Sequence, residues 1–158
     1  MIAVRPAEDR DAQDLLGLVA LCFAEYPGCF VDPHDDVPDL VRPGTATATR
    51  GGRFWVVEDE SGRVCASAAL DWPEPGACEI HRVYVRPDRR RRGLARELVA
   101  LAEQEGRAEG AARALLWSDT RFEDAHRLYE ALGYARTGAT RELGDVSGSR
   151  EFGFVKDI

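Results

Sequence analysis

Residues 83–95 read Val83-Tyr84-Val85-Arg86-Pro87-Asp88-Arg89-Arg90-Arg91-Arg92-Gly93-Leu94-Ala95. An apolar, β-branched and aromatic run ends at a proline, which cannot donate to a ladder, so a strand stops there. From Arg86 to Arg92, five arginines face only Asp88. Gly93 then opens a helix in which Leu94, Leu98, Leu101 and Ala102 keep a 3.6-residue period to about Glu109, with Gly110 suited to the C-terminal cap. A strand–turn–helix of this kind presents unpaired backbone N–H groups at the helix N-terminus, where the dipole also favours negative charge. The expectation is an anion site, and a turn this basic suits the pyrophosphate of a large cofactor.

On the N-terminal side of this stretch lies an antiparallel meander. Arg53–Glu58 is a strand with Phe54 and Val56 on one face and Trp55 and Val57 on the other. Asp59–Gly62 turns the chain into a return strand, Arg63–Trp72, and Pro73–Gly76 turns it again into Cys78–Val85. On the C-terminal side, Ala114–Trp117 enters the sheet as a short strand after the helical crossover. A helix runs from about Glu123 to Leu132 and stops at Gly133. Tyr134–Leu143 and Arg150–Lys156 are the last strands, joined by the turn Gly144–Gly148. Upstream, Ile2–Arg5 is a short strand ended by Pro6. Asp9 or Asp11 caps a helix that carries Leu15, Leu18, Val19 and Cys22 and breaks at Tyr26-Pro27-Gly28. Cys29–Gly52 is punctuated by Pro33, Pro38, Pro43 and Gly44, and a short helix is expected there at Asp35–Val41. This order predicts a single domain over residues 1–158, α/β or α+β by class, with a mixed, mostly antiparallel central sheet and helices on both faces.

Composition narrows the function. Of 158 residues, 44% are hydrophobic and 31% charged, ordinary values for a globular domain with a real core. No apolar run approaches the roughly 18 residues of a membrane span. Met1–Pro6 has no basic flank followed by an apolar core, so the expected address is the cytoplasm. The net charge of −7 argues against bulk nucleic-acid binding, so the single basic turn points to a localised anionic ligand. Cys22, Cys29, Cys65 and Cys78 have no C-x-x-C spacing; reduced, partly buried thiols are expected, and no metal site.

Two motifs together make the resemblance specific. Val85-Arg86-Pro87 followed by Arg90-Arg91-Arg92-Gly93-Leu94-Ala95 matches R-x-x-G-x-G/A after V-x-P. Ala125-His126-Arg127-Leu128-Tyr129-Glu130-Ala131-Leu132-Gly133-Tyr134 matches A-x-x-L-Y-x-x-x-G-F/Y. In these motifs and in element order the chain resembles the GNAT superfamily of N-acetyltransferases. The resemblance implies an acyl-CoA N-acyltransferase moving an acetyl group from acetyl-CoA to a primary amine of a small molecule, by direct attack. It leaves a homodimer open.

It also implies roles. The amides of Arg91–Ala95 would hold the pyrophosphate, with charge from Arg90 or Arg92. Gly93 would let the backbone approach closely, and Ala95 would keep the next contact small. Arg86 and Arg89 would reach the cofactor's ribose phosphate or lie exposed. The backbone of Val83, Tyr84 and Val85 would take the pantetheine arm like an added strand, splayed from Ala114–Ser118. A backbone N–H near Val83 would polarise the thioester carbonyl. Tyr129 matches the tyrosine that protonates the leaving sulfur. Where the superfamily often carries glycine this chain has Arg91, and where it often carries a cofactor-contacting asparagine it has Phe122.

The amine must also lose a proton. Glu79 and His81 stand two apart in one strand and so share a face; either serves as the base. Histidine titrates near neutrality, and Glu79 would in addition attract the cation. His126, one turn from Tyr129, is expected to be an exposed helix residue. Ser118 and Asp119 are candidate acceptors for the amine, and Arg121 for a substrate carboxylate. Glu25, Asp32, Asp35, Asp36 and Asp39 form either a polar surface or a lip that selects a cationic substrate. Two rival readings remain on the same fold: a protein or peptide N-terminal acetyltransferase, and a non-catalytic acyl-CoA sensor.

Overall fold

The computed structural model describes residues 2–158. Seven strands form one sheet: β1 (Val4–Pro6), β2 (Arg53–Glu58), β3 (Val64–Glu74), β4 (Ala77–Val85), β5 (Arg113–Asp119), β6 (Ala135–Glu142) and β7 (Arg150–Asp157). Their spatial order is β1-β2-β3-β4-β5-β7-β6, with every neighbouring pair antiparallel except β4 and β5. The helices are α1 (Ala12–Phe23), α2 (Pro43–Arg50), α3 (Leu94–Ala108) and α4 (Glu123–Ala131).

Side-chain alternation sorts the layers. Phe54, Val56 and Ala69 pack with Leu15, Leu18 and Val19 of α1 on one face. Leu70, Cys78 and Ile80 pack with Val99 and Ala102 of α3 and Tyr129 of α4 on the other. Val64 to Leu70 is buried throughout, because both faces of β3 are covered. All four cysteines are buried and unbridged. None of the helices among the described residues is long and apolar enough to cross a membrane.

The α1–α2 region departs from expectation. Asp35–Val41 is not an α-helix; one 3-10 turn, Pro38–Leu40, stands there, and α2 follows at Pro43–Arg50. The Pro-Gly-Thr-Ala-Thr-Ala-Thr-Arg sequence of α2 has no apolar period, and only Pro43 and Thr47 are buried. Its signals are punctuation alone: proline in the first turn and Gly51 in a left-handed C-cap.

One feature of the sheet positions everything functional. Parallel β4 and β5 pair only from Ala77 opposite Arg113 to Glu79 opposite Leu115. Beyond that point β5 stays with β7 as far as Asp119 opposite Glu151. The β5-facing edge of β4 from Ile80 to Val85 therefore has no strand partner. A bulge at Arg82 accompanies the split. The register with β3 shifts between Ser67 and Ala69, Arg82 takes φ 54°, and its carbonyl accepts a 2.8 Å bond from the Ser67 hydroxyl.

Candidate active site

The basic turn closes the β4 side of this wedge. Pro87–Arg89 forms a 3-10 turn and α3 starts at Leu94, with Gly93 as N-cap at φ 82°. Among the described residues, no backbone or side-chain acceptor takes the N–H of any residue from Arg91 to Arg96; the first donor satisfied is Glu97, on the Gly93 carbonyl. Six consecutive free amides at a helix N-terminus form a strong anion cradle. Arg91 occupies the left-handed region at φ 60°, where the superfamily often has glycine. The strain of an L side chain in that conformation is thus held in the cradle itself.

The arginines divide into two groups. Arg86 donates to Asp88 at 2.6 Å and Asp59 at 2.7 Å, and Arg89 donates to Glu60 at 2.9 and 2.7 Å. Arg90 donates to Glu25 at 2.8 Å and to the Val85 carbonyl at 3.0 Å, so it ties the turn to the end of α1. The structure thus places Arg86, Arg89 and Arg90, each expected to face a phosphate or to lie exposed, in internal pairs. Arg91 and Arg92 are exposed and have no carboxylate partner among the described residues. They are the charges left for a ligand.

Tyr129 stands on α4, in the core that Cys78 and Ile80 of β4 share. It is 7% exposed, and its ring meets Tyr134 and Phe154 edge-on, with centroids 6.1 and 5.8 Å away. Its hydroxyl makes no hydrogen bond to the described residues. Burial, and then the neighbouring Tyr84 phenol, push its pKa upward, so the group is an acid that keeps its proton.

The α1–α2 face of the wedge carries the ionisable groups. Glu79 and His81 do share that face, opposite Asp71 and Ala69 of β3. His81 Nε2 lies 2.5 Å from Asp71 Oδ2, and Arg50 of α2 reaches the other oxygen at 3.4 Å. Burial works to raise the Asp71 pKa, but the bond to His81 and the charges of His81 and Arg50 outweigh it and hold the carboxyl below its ordinary value. Next along the strand, Arg82 is bound to Asp39 by two bonds, at 3.1 and 2.8 Å. Neither Asp71 nor this use of Asp39 was anticipated. Counting back from the hairpin Pro73–Gly76 does not give this register, because a bulge between Asp71 and Glu74 shifts Asp71 opposite Glu79.

Residues after β5 serve the scaffold. Asp119 is bound by Arg121 at 2.8 and 2.7 Å, and Arg121 also donates to Ser149 at 3.2 Å, so neither is free for a substrate group. His126 is not exposed. It is buried between Phe152 and Phe154, its Nε2 lies 2.9 Å from the Asp119 carbonyl, and burial lowers its pKa. Phe122 caps α4 and packs on Tyr26 and Phe23 of the α1 end, with centroids 4.7 and 5.7 Å away. The position is thus used to close α4 onto α1. Ser147 in the β6–β7 turn exchanges bonds with the backbone of Phe30, and a cavity of about 470 Å³ between these segments is lined by Asp32, Asp35, Asp36, Asp145 and Val146.

The site thus joins a parallel strand pair that splays, an unpaired helix N-terminus and a buried tyrosine on α4. The model of the Acetyltransferase (GNAT) family matches residues 17–134, and the chain belongs to that family. Over 86 residues it is 35% identical to the uncharacterized N-acetyltransferase YjgM of Escherichia coli, covering 53% of this chain and 52% of that one. The chain spans about half the length of the curated relatives it matches. The crystal structure of an acetyltransferase from Streptococcus agalactiae superposes with a TM-score of 0.81 at 21% identity, over 99% of this chain and 98% of that one. That of yncA from Salmonella typhimurium, an acetyltransferase bearing acetyl-CoA, superposes at 0.73 with 18% identity, over 99% and 94%.

Proposed function

We propose that the chain transfers an acetyl group from acetyl-CoA to the primary amine of a small cationic molecule. The observation that carries this reading is the run of six unpaired amides, Arg91 to Arg96, at the mouth of the β4–β5 wedge. The residues fit the co-substrate. Those amides and the free Arg91 and Arg92 side chains hold its phosphates, with Gly93, Leu94 and Ala95 keeping the approach open. The unpartnered edge of Val83, Tyr84 and Val85 would take the pantetheine arm, and an N–H near Val83 would polarise the thioester carbonyl. Acetyl-CoA supplies the activated thioester when bound.

The chain's own groups manage the protons. Tyr129 holds a proton that no acceptor among the described residues takes and gives it to the leaving thiolate. Glu79 or His81, on the acceptor face, removes the proton of the incoming ammonium. The four aspartates of the cavity between the segment after α1 and the β6–β7 turn favour an acceptor with further positive charge.

A thiol-release assay with acetyl-CoA tests the reading on a panel of polyamines, amino acids and peptides with free N-termini. Turnover is expected to be fastest on small polycationic amines. Faster turnover on peptides would replace the acceptor class, and tight acetyl-CoA binding without turnover on any amine would leave a sensor.

A further inference from the structure

We propose that Asp71 is the positioning residue of His81: it holds the imidazole as the Nε2–H tautomer, so that Nδ1 is the nitrogen that takes the proton of the incoming amine. This rests on the acetyl-transfer reading above and chooses between its two bases.

The geometry is built from three elements. Asp71 on β3 meets His81 Nε2 at 2.5 Å through Oδ2, while Arg50 at the end of α2 approaches Oδ1 at 3.4 Å. Gly52, between α2 and β2, leaves the room this carboxylate needs; a Cβ there would lie 2.3 Å from Asp71 Oδ1 and 2.8 Å from the Leu70 carbonyl. An ionised carboxylate only accepts, so the shared hydrogen is on Nε2, and neutral His81 then carries its lone pair on Nδ1. Nδ1 has no partner among the described residues. Glu79, by contrast, makes no side-chain hydrogen bond there, and nothing orients it.

The charged groups around the pair are Glu79 on the same strand, Asp71 from β3, Arg50 from α2, and Asp39 with its partner Arg82 from the turn before α2. The Asp39–Arg82 pair is internally neutralised, and Arg50 faces Asp71, so Asp71 is the carboxylate bonded to the ring. When the ammonium proton moves to Nδ1, the amine recovers its lone pair and His81 becomes an imidazolium. Asp71 stays ionised and stabilises that charge without taking the proton.

Two readouts test this on the full chain. Long-range ¹H–¹⁵N spectra of imidazole-labelled protein without acetyl-CoA report the tautomer, with the His81 signal assigned by its loss in His81→Gln. Wild type is expected to show Nε2–H, and Asp71→Asn a shift toward Nδ1–H. In the acetyl-transfer assay, His81→Gln should lose about 100-fold in kcat and Asp71→Asn roughly tenfold. An Nδ1–H tautomer in wild type, or a tautomer and kcat that Asp71→Asn leaves in place, overturns the proposal. Wild type inactive on every amine with the Nε2–H tautomer present overturns the acetyl-transfer reading instead, since the tautomer is read without activity.

Discussion

The Arg82 guanidinium donates to both carboxylate oxygens of Asp39, at 3.1 and 2.8 Å, and so ties the bulge of β4 to the turn that precedes α2. The two side chains are 21% and 14% exposed. The bulge holds a non-glycine residue at φ 54° where β4 leaves β5, so the pair braces a strained backbone at the point that opens the wedge. Burial raises the Asp39 pKa, but the Arg82 hydrogen bonds and charge outweigh it, and the net shift is downward.

Asp39→Ala should therefore destabilise the fold by about 3 kcal/mol, the low end for stranding one partner of a buried pair. At roughly 2–4 °C per kcal/mol for a domain of this size, Tm falls by about 6–12 °C. A depressed carboxylate stabilises fully above its unfolded value near 4, and that contribution disappears as pH falls through the folded value. The gap between wild type and variant in urea midpoints should be widest near pH 7 and close in acid. A gap that persists at pH 2 would show that the pair contributes by packing and not by charge.

The arginines of the basic turn should separate by assay. Arg91→Ala and Arg92→Ala remove the two charges without internal partners and should weaken acetyl-CoA binding several-fold, with a shallower salt dependence of Kd in calorimetry. Arg91→Gly should also stabilise the protein by about 1 kcal/mol, because glycine accepts φ 60°. Arg86→Ala and Arg89→Ala break pairs to Asp88 and to Asp59 and Glu60 of the β2–β3 turn and should leave Kd little changed. Equal losses of affinity across all four would refute the division.

Tyr129→Phe removes a hydroxyl that bonds to none of the described residues, so stability should stay within about 0.5 kcal/mol of wild type. If Tyr129 protonates the thiolate, kcat falls by about 100-fold while Kd for acetyl-CoA holds. Burial keeps the phenol protonated well above neutrality, so any alkaline limb near pH 8–9 should survive in the variant. An unchanged kcat with chemistry rate-limiting would remove Tyr129 from the mechanism.

Periodicity made most of this fold legible. Leu15, Leu18, Val19 and Cys22 on α1, and the alternation of Phe54 to Val57, carry their burial in the pattern itself. The wedge and the order of its parts followed from the family motifs at Val85–Ala95 and Ala125–Tyr134. Three things escaped. Helix α2 has no apolar stripe, since its Thr-Ala repeat packs through Pro43 and Thr47 alone. His126 looked exposed because its neighbours are charged, yet β7 supplies Phe152 and Phe154 from 26 and 28 residues away. The partners of Arg82 and Arg90 are likewise long-range: Asp39 and Glu25 meet them only once α1 and the sheet have packed, whereas Asp71 meets His81 across the bulged β3–β4 hairpin. Charge pairing across elements leaves no periodic trace, so the sequence marked which residues were chemically interesting but not which of them were already taken.

Gly93 offers the sharpest test of the cradle. At φ 82° it caps α3, and a Cβ there would meet only Glu97 Oε1, at 3.9 Å. Space is therefore no obstacle; conformation is. Gly93→Ala should cost about 1–2 kcal/mol in stability, the cost of an L residue in the left-handed region, and should weaken acetyl-CoA binding as the amides from Arg91 to Arg96 turn. Gly93→Glu adds a negative charge among those amides and should abolish binding, while its fold stability tracks that of Gly93→Ala. If Gly93→Glu melts with Gly93→Ala yet binds acetyl-CoA with near-normal affinity, the phosphates do not sit on this helix terminus. The grip must then come from the Arg91 and Arg92 side chains alone.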